Sequence, residues 1–154
     1  MQPARLAKDL AQFDAVNIGA VGTFVIRAAV SETRLREVIL GRLPFRPEMM
    51  VCSAREMLAL KSAEAILPEP AGKDLQRFVT VLPRTPRTLP HLPLEYPGGE
   101  RWEVKIVAVT GRFALSIRQK GGAYSNAVVE KLLGMPATTR NWNTFVAIWK
   151  ALSR

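Results

Sequence analysis

Apolar residues recur at two spacings along this chain, one typical of helices and the other of strands. Intervals of three and four positions place apolar side chains on one face of a helix. They predict five helices, over residues 1–13, 31–43, 53–67, 125–133 and 142–152.

The ends of these helices carry signals of their own. Ser31 precedes the second helix as an N-cap, and Pro44 prevents its continuation. Ser53 and Glu56 have the spacing of a capping box, in which the hydroxyl and the carboxylate each accept a hydrogen bond from a backbone amide. Gly134 closes the fourth helix.

Alternation of apolar and polar residues predicts the strands. We expect a first hairpin within residues 14–30, single strands over 48–52 and 75–82, and a second hairpin from 102–109 and 113–117. Helices combined with hairpins of this kind predict an α+β fold with mainly antiparallel sheets.

A proline-rich segment interrupts these elements. Five prolines lie between residues 83 and 97, and proline lacks a backbone donor and favours extended conformations. The segment is interpreted as a stiff connector between strands, with a basic, proline-rich recognition segment as the alternative. We divide the chain into an N-terminal α+β subdomain, residues 1–52, and a C-terminal α+β subdomain, residues 53–154, which contains the connector 83–97.

Charge is distributed unevenly along the chain. The 22 Lys and Arg exceed the 13 Asp and Glu and give a net charge of +9. Residues 104–154 hold eight cations and one carboxylate, a net of +7, whereas residues 1–103 hold 14 and 12, a net of +2. Such a field favours nucleic acid, phosphorylated metabolites or an acidic protein, and it is equally compatible with solubility alone.

Composition argues against several classes of protein. The longest apolar runs, such as residues 106–109, are far shorter than the ~20 residues that a membrane-spanning helix needs. The first ten residues carry three charged side chains and lack the apolar core of a secretory signal, so we expect a cytoplasmic protein without membrane association. With one cysteine, Cys52, and one histidine, His91, we expect neither an intrachain disulfide nor a zinc site, and no cofactor.

One face of the second hairpin is rich in cations. Arg112, Ala114, Ser116 and Arg118 share a face of the strand, and the row continues toward Lys120. A solvated outer face gives the same alternation, and a platform for a polyanion is the functional alternative.

A dense polar run, residues 136–144, lies at the start of the last helix. Thr138, Thr139 or Asn141 can cap the free amides of its first turn. Alternatively these amides and Arg140 bind an anion. The candidate ligands in and before this run are Ser125, Asn126, Thr138, Thr139, Arg140, Asn141 and Asn143.

This run, with the preceding Ser-Asn-Ala-Val-Val-Glu-Lys-Leu-Leu-Gly of residues 125–134, resembles the C-terminal signature of the bacterial domain-of-unknown-function family DUF 1697. The resemblance is looser over residues 1–13, the first hairpin, 31–43 and 51–60. It implies two ferredoxin-like halves, of which the N-terminal one lacks the family's usual first strand. The family usually carries Ser-Gly-Asn in the first hairpin, where this chain has Ala20-Val21-Gly22, and the resemblance implies no activity.

Three functions compete at this point. The first is a noncatalytic module that binds nucleic acid or another polyanion through the hairpin cations and Arg140, with Tyr124 or Trp142 adding a stacking surface. The second is an enzyme acting on a phosphorylated or carboxylated metabolite, although Glu130 is the only carboxylate after Glu103 to serve as a base. The third is a protein-interaction subunit that uses the edge left by the absent first strand. We favour the first.

Overall fold

A computed structural model describes residues 3–63, 74–120 and 126–153. Over these ranges the chain forms five α-helices and seven strands, which confirms the predicted α+β fold class. The chain divides into two compact units, one within residues 1–51 and 146–154 and the other within 52–145. None of the helices in the described ranges is both long and apolar enough to cross a membrane.

The first unit contains a hairpin and two helices. Its elements are α1 (Pro3–Asp9), a 3-10 turn (Ala11–Phe13), β1 (Ala15–Ile18), β2 (Thr23–Ile26) and α2 (Glu32–Arg42). β1 and β2 pair antiparallel, and α1 contacts both β1 and α2. The Ser31 hydroxyl caps α2 by accepting a hydrogen bond from the Arg34 amide at 3.2 Å. The predicted first helix, first hairpin and second helix are therefore confirmed, with the first helix ending in a 3-10 turn.

The predicted strand over residues 48–52 is wrong. A strand is stable where a neighbouring strand satisfies its backbone groups, and these residues belong to neither sheet of the described chain. The carbonyl oxygen of Met49 instead accepts a hydrogen bond from Arg36 Nη1 at 3.2 Å. The apolar composition of the segment was mistaken for a strand signal.

The second unit is built on a five-stranded antiparallel sheet. Its elements are α3 (Ala54–Lys61), β3 (Leu75–Val81), β4 (Leu94–Tyr96), β5 (Val104–Thr110), β6 (Phe113–Gln119), α4 (Asn126–Leu133), β7 (Thr138–Asn141) and the start of α5 (Trp142–Leu152), which continues into the first unit. The strand order is β4-β5-β6-β3-β7. Thr110 pairs with Phe113, so β5 and β6 are joined by two residues, of which Gly111 adopts a φ of +57°.

Two strands of this sheet were not expected from the sequence. β4 lies inside the proline-rich segment that was interpreted as a stiff connector, and β7 lies inside the polar run. β4 is the edge strand, with Leu94 opposite Ile106, and proline is tolerated at the ends of an edge strand. The connector prediction is wrong over these three residues, because pairing with β5 outweighs the flanking prolines.

The β6 face that was interpreted as solvated is covered over its middle. Ala114 and Ser116 are only 0% and 1% exposed. Val129 of α4 packs with Ile106 and Ala114, and Leu132 and Leu133 lie against the same cluster. An outer, solvated face is therefore wrong for the centre of β6, while Arg112 and Arg118 at its two ends are partly exposed.

Candidate functional site

The polar run before α5 forms a strand and a helix cap. The Asn141 side-chain oxygen accepts hydrogen bonds from the Thr144 amide at 3.0 Å and from the Thr144 hydroxyl at 3.3 Å. Of the three cap candidates, Asn141 is thus the residue that caps α5.

Asn126 and Thr139 join α4 to the sheet through a hydrogen-bond network. The Thr139 hydroxyl donates to Asn126 Oδ1 at 2.7 Å, and it lies 2.8 Å from the hydroxyl of Thr80 on β3. Asn126 Nδ2 donates to the Ala137 carbonyl and, at 2.9 Å, to Glu130 Oε1, which also accepts from the Ala137 amide at 3.0 Å. Because Thr139 gives its single proton to Asn126, Thr80 is the donor in their contact. These contacts explain most of the polar character of the segment.

Arg112 forms an ion pair with Glu56. Its Nε and Nη2 donate to the two carboxylate oxygens at 2.8 and 3.2 Å, and its side chain is 15% exposed. The same carboxylate accepts from the Ser53 amide at 2.7 Å, completing the predicted capping box of α3. Partial burial alone would raise the pKa of Glu56, but the hydrogen bonds from Arg112 and Ser53 together with the Arg112 charge outweigh it, and the pKa lies below its usual value.

The structure does not bring the candidate cations onto one surface. Arg118 and Lys120 lie at one end of β6, and Arg112 lies at the other, about 20 Å away at the rise of a strand. Arg140 pairs with Val79 and so faces the side of the sheet opposite to Arg118, where its Nη1 donates to the Thr139 carbonyl at 2.9 Å. Burial lowers the pKa of Arg140 from its usual value. Ser125 and Tyr124 lie outside the described residues.

A cleft of about 250 Å³ opens where β3 extends beyond β7. The last register pair between these strands is Phe78 with Asn141, after which the chain turns into α5 while β3 continues back to Leu75. The cleft therefore contacts both faces of the sheet at its edge. Its lining residues are Leu75, Gln76, Arg77, Phe78, Asn141, Trp142 and Asn143.

Two arginines, one on each face of the sheet, lie against aromatic rings that line this cleft. The guanidinium carbon of Arg77 is 5.1 Å from the ring centroid of Trp142, and that of Arg118 is 5.1 Å from the ring centroid of Phe78. Arg118 Nη2 also donates to Gln76 Oε1 at 3.3 Å. We call the seven lining residues together with Arg118 the arginine–aromatic cleft. Two of the predicted site residues of the polar run, Asn141 and Asn143, line it.

Sequence patterns did not single out the β3 residues of the cleft. The strand itself was predicted. The ring partners of Arg77 and Phe78, however, are Trp142 and Arg118, which lie 65 and 40 residues later in the chain. The pairing of β3 with both β6 and β7 brings these partners together. No spacing between neighbouring residues in the sequence indicates this pairing.

The chemistry of the cleft is that of binding. Its lining offers a guanidinium group, carboxamides and aromatic rings, which can hydrogen-bond and stack with a ligand. Within residues 3–63, 74–120 and 126–153, no three His, Cys, Asp or Glu side chains lie close enough together to hold a metal ion.

Comparisons of the chain with protein-family models, with curated proteins and with solved structures find no significant match. Membership in DUF 1697 and the ferredoxin-like halves that it implies therefore stay predictions. Function has to be inferred from the chemistry of the cleft.

Proposed function

We propose that this chain is a noncatalytic, basic module of a cytoplasmic bacterial protein, and that it binds nucleic acid or another polyanion at the arginine–aromatic cleft. The observation that carries the proposal is the pair of guanidinium groups held 5.1 Å from the rings of Trp142 and Phe78. The resemblance of residues 125–144 to the DUF 1697 signature places the chain, in this proposal, in that family.

An arginine held against a ring is suited to a phosphate. The ring contact engages the flat face of the guanidinium, whereas a phosphate binds its N–H edge, often through two parallel hydrogen bonds. Contact with the ring also restricts the side chain before binding, which reduces the conformational entropy lost when the ligand arrives. Arg77 and Arg118 therefore provide two positioned cations at this edge of the sheet, one on each face.

The surrounding charge supports the same ligand. Residues 104–154 carry a net charge of +7, and Lys120, which is exposed, follows directly on the strand that carries Arg118. A positive field of this kind attracts polyanions over distances of about one Debye length, roughly 8 Å at physiological salt. The field brings the ligand to the protein and the cleft gives it contacts.

Fluorescence anisotropy of a labelled single-stranded 12-mer over a salt series tests the proposal. Arg77→Ala and Arg118→Ala should each weaken binding about tenfold, the equivalent of one charge-assisted hydrogen bond. Arg87→Ala is the matched control, because it removes the same charge from an exposed position in the proline-rich connector. Equal losses in all three variants, or no binding at low salt, would contradict the proposal.

The same titration, combined with a thermal-shift measurement, distinguishes nucleic-acid binding from the alternative of an enzyme that acts on a phosphorylated or carboxylated metabolite. Glu130 is the candidate base of that enzyme. It accepts hydrogen bonds from Asn126 and Ala137 and does not line the cleft. Thermal stabilisation by a nucleoside monophosphate, with no binding of the 12-mer, would favour the metabolite.

A further inference from the structure

We propose that the arginine–aromatic cleft takes one unstacked nucleobase, so that its ligand is a single-stranded nucleic acid. This inference rests on the proposed function and goes beyond it, because binding of phosphates alone would not distinguish single strands from duplexes or from other polyanions.

The shape of the cleft favours a single flat group. Its volume of about 250 Å³ is below the roughly 300–1,000 Å³ of ordinary small-molecule pockets. It lies at the edge of the sheet, beyond the end of β7, where a base turned out from its strand can enter between β3 and the start of α5. A duplex keeps its bases stacked and paired inside, so it presents phosphates to this edge and no free base.

The walls of the cleft offer surfaces on which a base can stack. Bases bind proteins by stacking on aromatic rings and on the planes of arginine side chains. Trp142 is 4% exposed and Arg77 lies over its ring, so at this wall the guanidinium rather than the indole faces the ligand. Phe78 is partly exposed and, with Arg118 over its ring, offers a second stacking surface on the other face of the sheet at the same edge. A base stacked on Arg77 therefore lies next to a cation that also binds its phosphate.

Exposed carboxamides at the cleft supply hydrogen bonds to the base edge. Arginine only donates hydrogen bonds, so its contact with Gln76 identifies the atom bound as the amide oxygen, Oε1. The orientation of the Gln76 amide is thereby fixed, and its NH₂ group offers donors to the ring nitrogens and carbonyl oxygens of a base. Asn143, also exposed, adds a second carboxamide to the lining.

An abasic oligonucleotide tests the inference. A deoxythymidine 12-mer and a 12-mer of abasic deoxyribose residues have the same length and charge, and differ only in the bases. The full chain should bind the abasic strand about tenfold more weakly, as expected from the loss of one stacked base. A 12-base-pair duplex should also bind more weakly than the single strand at the same salt concentration.

Two variants localise the effect to the cleft. Asn143→Ala should weaken binding of the thymidine strand about three- to tenfold and binding of the abasic strand less, because it removes a contact to the base. Gln76→Ala should show the same difference between the strands, with an added loss for both because Gln76 also accepts the Arg118 hydrogen bond. Both positions are exposed, so folding should be retained, and circular dichroism of each variant checks this. Arg87→Ala should affect neither strand by more than about twofold.

The outcomes distinguish this inference from the proposed function. If both strands bind equally and Arg118→Ala weakens both, the base is not recognised and the polyanion function stands. Base recognition at this cleft is also overturned if Gln76→Ala and Asn143→Ala weaken both strands to the same extent. If neither strand binds at low salt, the proposed function itself fails.

Discussion

At the scale of single residues, the neighbour of each arginine decides what its charge can do. Arg112 gives its charge to the Glu56 carboxylate, and Arg140 donates to a backbone carbonyl in a half-buried position. Arg118 and Arg77 each lie on an aromatic ring, which stabilises the cation. A net charge counts all of these cations equally, but two of them have the environment of ligand-binding groups.

Replacing Arg118 by lysine separates charge from shape. Arg118→Lys keeps the positive charge but loses the planar group that rests on Phe78 and binds phosphate through two N–H groups. We expect the variant to bind the single-stranded 12-mer about as weakly as Arg118→Ala does, within threefold, while keeping the salt dependence of the unmodified protein. Anisotropy titrations at two or more salt concentrations measure both quantities. Full affinity in Arg118→Lys would show that charge alone acts at this position.

The ion pair between Glu56 and Arg112 predicts a pH dependence of stability. Because the pKa of Glu56 is lowered in the folded chain, its stabilising effect is complete above the ordinary value of 4.5 and is lost as the pH falls through the folded pKa. Glu56→Gln keeps a capping-box residue and removes the charge. It should lower the free energy of unfolding at pH 7 by less than about 1 kcal/mol, since the carboxylate is partly exposed and screened, and the difference should shrink as the pH falls through the lowered pKa of Glu56.

Urea unfolding at several pH values measures this difference. Glu37→Gln on α2 is the control. Glu37 Oε2 lies 3.9 Å from Arg34 Nη1, and both side chains are exposed, so this pair should contribute little to stability. A Glu56→Gln effect that persists unchanged at pH 3 would exclude the ion pair as its cause.

At the scale of elements, local spacing predicts helices well and the edges of sheets poorly. The predicted α2, the capping box of α3 and the β5–β6 hairpin are confirmed because the residues that define them lie within a few positions of one another. β4 and β7 were missed, and a strand over 48–52 was wrongly expected, because the presence of a neighbouring strand decides these cases. The cleft depends on the same non-local pairing.

The contact between α4 and β7 depends on a few side-chain hydrogen bonds. Asn126→Ala removes the acceptor of the Thr139 hydroxyl and the donor to the Ala137 carbonyl, leaving part-buried polar groups without these partners. We expect a loss of about 2–3 kcal/mol in the free energy of unfolding, measured by urea denaturation. Asn143→Ala, at an exposed position, should change stability by less than about 0.5 kcal/mol. Similar effects of the two variants would contradict the role of the network.

At the scale of the whole molecule, the positive charge belongs mainly to one part of the chain. Residues 104–154 carry +7 of the net +9, and those of their cations that the structure describes lie on different strands, faces and helices. A field of this kind raises the rate of encounter with any polyanion and contributes little to discrimination. Discrimination has to come from the contacts at the cleft.

The salt dependence of binding decides between the field and the cleft. Each phosphate that is neutralised on a single strand contributes about −0.7 to the slope of log affinity against log salt concentration. If Arg77, Arg118 and Lys120 make the contacts, the slope should be about −2, and Arg118→Ala should reduce its magnitude by about 0.7. Diffuse binding by the entire net charge of +9 would give a slope of about −6, with little change in any single variant.

A titration of the single-stranded 12-mer between roughly 50 and 300 mM salt spans the range in which these slopes differ most clearly, because surface charges are still incompletely screened there. A slope near −2 that the Arg87→Ala control leaves unchanged would place the binding energy at the arginine–aromatic cleft.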